Sequence, residues 1–309
     1  MTFFQRSCLI FLLSGVLMLS TGMAQELRIL NWNTYLLPKG LSQTFQDERA
    51  GLIADYILGS EMDFDVLTFQ EVFSASALEI LGERLAGKYP FHSGRPDQKW
   101  WKPANSGLII FSRYPITERS FCMFTRSRDT DFLSAKGVLV VGIEREGKPL
   151  VRIATTHMQA HRHHQSVRIR KHQYGQISRS IVNNFRNREV PLIITGDFNI
   201  DMYNHSEFGP FLEAMAFLRP EISGSFGFSY DTELNSLAKK SNPRELHQSL
   251  LDYIFLITGS GDQAVMLETR ILDPRGIYGR KAGVAGSLSD HFPVYSVIRF
   301  GTGVLKQEE

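Results

Sequence analysis

Several residues that could do acid–base and metal chemistry stand at the ends of apolar runs in this sequence. In the stretch Leu288 to Pro293, Asp290 and His291 come directly before the apolar run Phe292 to Phe300. A histidine at the start of a buried strand is held by the sheet while its ring reaches a cleft, as a general base or a phosphate contact requires. Taken alone, the stretch fits a surface turn before an edge strand equally well.

Four further stretches end an apolar run in the same manner. They are Asn31-Trp32-Asn33, Gln70-Glu71, Thr156-His157 and Gly196-Asp197-Phe198-Asn199. Their side chains are types that bind cations or move protons. Five such endings in one chain predict one shared site.

Glu71 follows a strand that we expect to be buried, where an unpaired carboxylate is costly. We therefore predict that it faces a cleft and binds a cation. A carboxylate beside an amide oxygen such as that of Asn33 suits Mg²⁺, which keeps several waters and needs few protein oxygens. The alternative is an acid at the end of the strand, paired in a salt bridge.

Asp197 and Asn199 lie two residues apart after Ile194, so both face the same side of an extended loop. One could accept a proton or orient water while the other donates to a phosphoryl oxygen. The alternative is an Asx turn, for which Gly-Asp-x-Asn is suitable. The other polar strand ends favour the functional interpretation.

The elements that must position these residues are strands joined by helices and by hairpin turns. Strands are predicted at Leu27–Leu30, 66–69, 108–111, 138–143, 150–155, 190–194, 251–257 and Phe292–Phe300. Helices are predicted at Asp47–Gly59, around Leu78 to Leu85 after a capping box of Ser76 and Glu79, and over the basic stretch Ser166–Arg188. This order predicts an α/β fold, a four-layer sandwich of two packed mixed sheets with helices outside, in one domain over residues 25–309.

Composition indicates an ordinary globular chain, with 309 residues, 43% hydrophobic and 21% charged. Residues 1–24 predict a secretory signal: Arg6 precedes the apolar segment Leu9 to Leu19, and a cleavage site ends near Ala24. The apolar segment is shorter than the roughly 20 residues of a spanning helix. We therefore expect a secreted protein, located outside the cell or in the periplasm.

The net charge and the cysteine content limit the classes of partner that this chain is expected to bind. The net charge is +2, and residues 1–24 contain one charged residue, Arg6, so the mature chain carries +1 and has no net attraction to nucleic acid. Removal of the signal leaves Cys122 as the only cysteine. We predict no internal disulfide and no disulfide-linked partner.

Seven motifs resemble, in order and spacing, those of the endonuclease/exonuclease/phosphatase superfamily. They are Asn33-Thr34-Tyr35, Gln70-Glu71-Val72-Phe73, Gly107-Leu108-Ile109-Ile110-Phe111-Ser112, Thr156-His157-Met158-Gln159-Ala160, Gly196-Asp197-Phe198-Asn199, Leu251-Asp252-Tyr253-Ile254 and Ser289-Asp290-His291-Phe292-Pro293. Within it the chain is most similar to secreted bacterial-type neutral sphingomyelinases, through Glu71–Phe73, Leu133–Gly137, His157–Ala160 and Thr232–Lys239.

This resemblance implies a DNase I-like fold and phosphodiester hydrolysis by in-line attack of water, without a covalent enzyme intermediate. It implies Mg²⁺ at Glu71 and Asn33, with Mn²⁺ or Co²⁺ as substitutes. His291 would activate water or contact the phosphate, oriented by Asp252 and accompanied by Asp290.

The resemblance also implies roles for the remaining polar residues at the strand ends. Asp197 and Asn199 would position the nucleophile and the scissile phosphate, while His157 would neutralise charge in the transition state. Whether Asp197 or His291 takes the proton stays open. Arg170 and Gln173 share one helical face and are expected to support the loop after His157.

The implied substrate is sphingomyelin, or a related choline phospholipid at a membrane surface, cleaved to ceramide and phosphocholine. Candidate substrate contacts are Trp100, Trp101, Lys136, Tyr230 and Asn235. Aromatic faces that could hold a quaternary ammonium are Trp100, Trp101, Phe226, Phe228 and Tyr230.

Two stretches depart from the family pattern. The basic stretch His161 to His164 is either a solvated loop or an added metal or headgroup contact. Between Gly276 and Leu288 the only large apolar residues are Ile277 and Tyr278, where membrane-acting relatives often carry an aromatic hairpin. Strong membrane insertion is therefore not expected there, and Trp100-Trp101 is the candidate replacement.

Other functions remain open on the same scaffold. A secreted nuclease would use the basic helix of Arg168, Arg170, Lys171, Arg179 and Arg186, although nucleic acid is not the expected partner. A phosphoinositide phosphatase would need basic residues at the site. A silent binding protein is disfavoured, because every catalytic position holds a competent residue.

Overall fold

Two mixed β-sheets pack face to face in the computed structural model, which describes residues 25–38, 40, 44–96, 101–185, 190–257, 264–279 and 284–301. The strands are β1 (Gln25–Leu36), β2 (Val66–Val72), β3 (Phe91–His92), β4 (Ile109–Ser112), β5 (Ile116–Met123), β6 (Gly137–Arg145), β7 (Lys148–His157), β8 (Leu192–Asp197), β9 (Tyr230–Asp231), β10 (Gln248–Ser249), β11 (Asp252–Ile257), β12 (Ala264–Ile271), β13 (Arg275–Tyr278), β14 (Val284–Ser287) and β15 (Val294–Phe300). The predicted signal, residues 1–24, lies outside the described residues.

Helices join these strands. They are α1 (Gln46–Gly59), α2 (Ala75–Leu85), α3 (His164–Ile177), α4 (Asn183–Phe185), α5 (His205–Met215) and α6 (Ser236–Ser241), with a 3₁₀ turn at Asp129–Leu133 and a π turn at Ser178–Val182. Among the described residues, no helix has the length and apolar content needed to span a bilayer.

The two sheets are built alike around a parallel pair. One has six strands in the order β12-β15-β1-β2-β4-β3, the other five in the order β11-β8-β7-β6-β5. β1 and β2 are parallel in the first, β7 and β8 in the second, and every other pairing within these two sheets is antiparallel. Parallel strands end at the same edge, where their antiparallel neighbours begin. The polar ends of β1, β2, β7 and β8 therefore share an edge with the starts of β11 and β15.

An apolar core fills the space between the sheets and the space beneath the helices. Residues such as Ile29, Ile110, Val140 and Ile193 are fully or almost fully buried in it. α1 and α2 cover the outer face of the six-stranded sheet, and α3 and α5 pack on the five-stranded sheet. This arrangement confirms the predicted four-layer α/β sandwich.

Near the functional edge the layer between the sheets turns polar. Gln70 donates to Thr155 Oγ1 across 2.8 Å, and Thr195 donates to Thr68 Oγ1 across 2.9 Å. All four residues are fully buried. These hydrogen bonds join one sheet to the other and fix the spacing of the two sets of strand ends.

Local details differ from the sequence predictions. The N-cap of α2 is Ser74, whose side chain accepts from the Ala77 N–H, and not Ser76. The edge strands β5 and β12 were not predicted, since their exposed polar residues break the apolar run. The basic helical stretch is described as far as Phe185 and contains a π turn.

Candidate active site

Four of the predicted residues meet at the common edge of the two sheets. Asp197 Oδ2 accepts from Asn33 Nδ2 at 3.0 Å and lies 3.4 Å from His157 Nε2 and 3.8 Å from His291 Nε2. Asn33 is separated from Asp197 by 164 positions in sequence. The two sheets thus bring one carboxylate, one amide and two imidazoles into direct contact.

Asp252 and His291 form a hydrogen-bonded dyad. His291 Nδ1 lies 2.7 Å from Asp252 Oδ2, which leaves Nε2 facing Asp197. Burial lowers the pKa of His291, but the charges of Asp252 and Asp197 outweigh it and raise this pKa well above the ordinary value. Asp197, Asp252 and His291 also offer ligand atoms within 4.8 Å of one another. Because 2.7 Å is a hydrogen-bond distance, a cation bound by Nδ1 would have to replace the dyad proton.

Hydrogen bonds with several elements fix the position of the segment that carries His291. Trp32 Nε1 donates to the His291 carbonyl at 2.9 Å, and Ser289 Oγ donates to the Asn33 carbonyl at 2.6 Å. Asn235 Nδ2 donates to the Ser289 carbonyl, while its Oδ1 caps α6 by accepting two N–H groups. Asn235 was predicted as a substrate contact; its side chain instead caps a helix and fixes this segment.

A buried cation, Arg49, lies beneath the same segment. Its guanidinium donates to the carbonyls of Thr34, Tyr35, Thr44 and Leu288, and to the Thr44 hydroxyl. Burial is the largest effect on Arg49 and lowers its pKa to about 10, so it remains charged at neutral pH. Arg49 therefore joins the end of β1 to the segment before Asp290 and offsets part of the local negative charge. Arg49 was not predicted from the sequence, since it looks like one more polar position of α1.

Asp290 lies among other acids. Burial raises the pKa of Asp290, and the charges of His291 and Arg49 act in the opposite direction. Asp290 Oδ1 accepts a hydrogen bond from Ser289 Oγ at 3.4 Å. Asp290 and Glu71 line the same cleft, and Asp290 raises the pKa of Glu71.

Asp197 and Asn199 adopt the Asx turn that was the alternative interpretation, and Asp197 still belongs to the site. Asp197 Oδ1 accepts from the Asn199 N–H at 2.9 Å, and Asn199 has a positive φ of 54°. Gly196, with φ of 147°, lets the strands approach, since a Cβ there would lie 2.1 Å from the Thr156 carbonyl oxygen. Asn199 Nδ2 donates to the Met158 carbonyl, so its amide braces the loop after His157.

Glu71 has the features of a cation ligand. Its φ is +58°, which is unusual for a glutamate and turns it out of the line of β2. Oε1 accepts from Asn33 Nδ2, while the buried Oε2 has no hydrogen-bond partner in the described part of the chain. Burial, followed by the charge of Asp290, raises the pKa of Glu71 to about 7. An orphaned carboxylate oxygen in an acidic, polar site fits a hard divalent cation.

Gly107 supports this position. The Val72 N–H donates to the Gly107 carbonyl, and Gly107 has φ of +69°. A Cβ at Gly107 would lie 3.0 Å from the Phe73 ring and 3.1 Å from Glu71 Cα. Glycine is therefore required for the close approach of this loop to Glu71.

Asn33 does not present itself as a cation ligand in this arrangement. Its nitrogen faces Glu71 and Asp197, and its oxygen accepts from the Tyr35 N–H at 3.2 Å. Two neighbouring carboxylates are satisfied by an amide N–H donor and not by an amide oxygen, which explains this orientation. Glu71 and Asn33 thus lie within hydrogen-bond distance of each other, and their assignment as metal ligands stays a prediction.

Lys136 stands behind His157 and does not line the cleft. Its buried ammonium contacts His157 Nε2 at 3.0 Å, the Met158 carbonyl at 2.8 Å and Asp131 Oδ1 at 2.8 Å. Burial, and then the charge of Lys136, lowers the pKa of His157 well below the ordinary value. His157 is therefore neutral here, and the positive charge expected of it is carried by Lys136. Lys136 supports His157, whereas it was predicted to contact substrate.

The loop after His157 is held by Arg170 and Gln173. Gln173 Oε1 accepts from the Gln159 N–H at 2.9 Å, and Arg170 donates to the carbonyls of Gln159 and His161. Arg170 also forms a buried ion pair with Glu207 at 2.7 Å. Arg170 is therefore part of the loop support and not of a solvated basic face.

These groups open into a cleft of about 810 Å³. Its walls include Tyr35, Glu71, His157, Arg162, Asp197, Asn199, Tyr230, Asn242, His247, Asp290 and His291. The Tyr230 ring centroid lies 5.2 Å from that of His291 and 5.1 Å from that of His247. From the sequence, Tyr35 was noted only as part of a motif, and His247 was not singled out.

The other aromatic candidates are placed elsewhere or not described. Phe226 packs against Phe292 and Phe228 against Tyr203, so neither lines the cleft. Trp101 is 51% exposed, outside the cleft walls, and Trp100 lies outside the described residues. Tyr230 is thus the one member of the predicted aromatic set found in the cleft wall within the described chain.

The fold has two mixed sheets packed face to face, with carboxylates, imidazoles and amides at their common edge. This combination is typical of the α/β-sandwich phosphoesterases. The family model described as Endonuclease/Exonuclease/phosphatase family matches residues 30–256. The chain belongs to this family.

The comparisons also give individual relatives. Sphingomyelinase C 2 of Leptospira interrogans is 27% identical over 88% of this chain and 46% of its own length, and Sphingomyelinase C of Bacillus cereus is 27% identical over 90% of both chains. The chain spans about half the length of two Leptospira relatives, 46% and 51%. A Staphylococcus aureus beta toxin mutant, crystallised with bound magnesium ions, has a TM-score of 0.76 and 24% identity over 88% of this chain and 99% of its own. At that identity it shows the fold alone.

Proposed function

We propose that this protein is a secreted, metal-dependent phosphodiesterase of the phospholipase C type, which hydrolyses sphingomyelin to ceramide and phosphocholine. The observation that carries the proposal is the convergence of Glu71, Asp197, His157 and the Asp252–His291 dyad on one cleft. Relatives named sphingomyelinase C support the choice of lipid.

Glu71 would hold the divalent cation, Mg²⁺ with Mn²⁺ or Co²⁺ as substitutes. When bound, the cation would neutralise charge on the phosphate oxygens. Asn33 orders the carboxylates of Glu71 and Asp197 by donating to both. Lys136, behind His157 and outside the cleft wall, adds a fixed positive charge near the site, which favours an anionic phosphate.

The proton of the attacking water would pass to Asp197 or to His291 Nε2, whose heavy atoms lie 3.8 Å apart. In the dyad, Nδ1 is committed to Asp252, so a neutral His291 ring has its free lone pair on Nε2. A charged ring would instead donate from Nε2 to Asp197 or to a phosphate oxygen. The two assignments differ in the pH dependence that they predict for activity.

The choline end of the substrate would lie against Tyr35 and Tyr230. Both line the cleft together with the acids Asp290 and Glu71. An aromatic face beside carboxylates attracts a quaternary ammonium, which carries charge but offers no N–H to donate. This pair takes the place of the larger aromatic set predicted from the sequence.

Basic residues in the cleft wall support a second candidate substrate. Arg162 lines the cleft and donates to Ser249 Oγ at 2.9 Å, and His161 and His163 line it as well. These groups favour an anionic headgroup, as in a phosphoinositide. A nuclease is less well supported, since Arg170 of the basic helix is buried against Glu207.

Product analysis tests the proposal. The purified protein is incubated with sphingomyelin, phosphatidylcholine, a phosphoinositide and plasmid DNA, each with Mg²⁺ and with excess chelator. We expect ceramide and phosphocholine from sphingomyelin with Mg²⁺ and neither product with chelator. Phosphate release from the phosphoinositide alone, or nicking of DNA alone, would replace sphingomyelin as the substrate.

Secretion is tested separately. The full chain is expressed with and without residues 1–24, and cells, periplasm and medium are assayed for the protein and for its N-terminus by mass spectrometry. We expect export of the full chain with cleavage near Ala24, and retention of the truncated chain. Uncleaved protein inside the cells would contradict secretion.

A further inference from the structure

Three large apolar side chains stand exposed on two neighbouring loops beside the site. Trp101, Phe132 and Leu133 are 51%, 59% and 49% exposed. The loops are tied together, because the Ala104 N–H donates to the Leu133 carbonyl at 3.0 Å and Lys102 Nζ donates to the Phe132 carbonyl. We call these three side chains the apolar rim.

Both loops of the apolar rim lead directly to the site. Six residues after Trp101, Gly107 packs against Glu71. Three residues after Leu133, Lys136 contacts His157. Since an extended chain advances at most about 3.6 Å per residue, the rim begins within roughly 22 Å of Gly107 and roughly 11 Å of Lys136 along the backbone. The rim thus belongs to the side of the cleft formed by Glu71 and His157.

The rim has the composition of a membrane-interface contact. An indole, a phenyl ring and an aliphatic side chain protrude together, and Lys102 Nζ lies 4.1 Å from the centroid of the Phe132 ring. Arg126, which is exposed, precedes the 3₁₀ turn that carries Phe132, and Arg128 before the same turn pairs with Asp129 at 2.8 Å. Protruding aromatic and aliphatic side chains suit the headgroup region of a bilayer, where their tips are buried.

We propose that Trp101, Phe132 and Leu133 seat the cleft on a phospholipid bilayer, at the depth where the scissile phosphate lies. The occupant is a lipid surface because the substrate class requires one, and in this respect the inference rests on the proposed function. Within the described part of the β13–β14 hairpin, Ile277 is 69% exposed but Tyr278 is buried. The rim therefore supplies the aromatic contact that this hairpin lacks there.

Vesicle partitioning tests the rim. A triple variant, Trp101→Ala, Phe132→Ala and Leu133→Ala, is compared with a control, Leu218→Ala and Val265→Ala, which removes side chains that are 87% and 57% exposed elsewhere. Binding to phosphatidylcholine–sphingomyelin vesicles is measured by sedimentation in a His291→Ala background, where turnover is suppressed. A single variant, Phe132→Asp, repeats the test by adding a charge instead of removing volume.

We expect the triple variant and Phe132→Asp each to bind vesicles at least about tenfold more weakly, given the apolar area removed from the interface or the charge placed in it. With His291 restored, hydrolysis of sphingomyelin vesicles should fall in parallel, while turnover of soluble p-nitrophenylphosphocholine stays within about twofold of wild type. The control should behave as wild type in each assay. Circular dichroism confirms that every variant is folded.

Unchanged vesicle binding by both rim variants would overturn the inference, as would an equal loss on the soluble substrate. An equal loss of vesicle binding in the control would show unspecific adhesion and also overturn it. If wild type leaves sphingomyelin intact, the proposed function fails, yet the binding comparison in the His291→Ala background still decides whether the rim contacts lipid.

Discussion

Substitution of His291 tests how the site handles the proton of the attacking water. If neutral His291 is the base, protonation of its ring stops activity, so activity falls as the pH drops through its pKa. Asp252 and Asp197 raise this pKa well above 6.5 despite burial, and the fall should therefore begin above pH 6.5. If Asp197 is the base, the fall should lie near pH 6, because burial and the charge of Asp252 raise the pKa of Asp197 to about 6.

Three variants separate the two cases. His291→Ala should lower kcat by about 10² to 10⁴-fold, or about 2.7 to 5.5 kcal/mol, and should remove the acid-side fall. Asp252→Asn removes the largest charge effect that raises the pKa of His291, so the fall should move to lower pH with a smaller loss of kcat. His247→Ala, a histidine of the same cleft outside the dyad, should leave the profile in place.

The assay is kcat/KM and kcat of p-nitrophenylphosphocholine hydrolysis from pH 5 to 9 at saturating Mg²⁺, with metal content checked for each variant. A profile of His291→Ala that keeps an acid-side fall near pH 6 would refute His291 as the base. The proton would then pass to Asp197, and His291 would remain as a charged phosphate contact. Loss of the fall in His247→Ala would refute the assignment to the dyad.

Three further predictions concern the support of the site. Glu71→Gln should abolish Mg²⁺-stimulated turnover while the fold, followed by circular dichroism, is kept; activity that still responds to Mg²⁺ would contradict the ligand assignment. Arg49→Met should lower the free energy of unfolding in urea by at least about 3 kcal/mol, since several buried carbonyls lose their donor, and Arg49→Lys should lose less. Gly107→Ala should weaken Mg²⁺ affinity, read from the activation curve, because its Cβ meets Phe73 and Glu71 at about 3 Å; an unchanged curve would show that this loop does not set the position of Glu71.

The sequence alone was sufficient to predict those elements whose residue pattern lies within a short stretch of the chain. Apolar runs of strand length revealed the central strands, and each is followed or preceded by the polar residues that the structure places at the shared edge. In the structure, β1 pairs with β2 and β7 pairs with β8 as parallel strands. Because parallel strands end at the same edge of a sheet, these pairings bring the polar strand ends together. The edge strands β5 and β12 escaped prediction, because exposed polar residues interrupt the apolar run in both.

The sequence by itself determined the fold class, the family and the polar residues at the strand ends that meet at the site, since these depend on residue types and on their order along the chain. Only the tertiary structure decided what each side chain faces. Asn33 turns its nitrogen to two carboxylates, Lys136 lies behind His157, and Asn235 caps a helix. Arg49 joins carbonyls of segments that lie up to 239 residues away. Such orientations follow from the donors and acceptors that folding brings near, and these partners are too distant in sequence for a local pattern to specify.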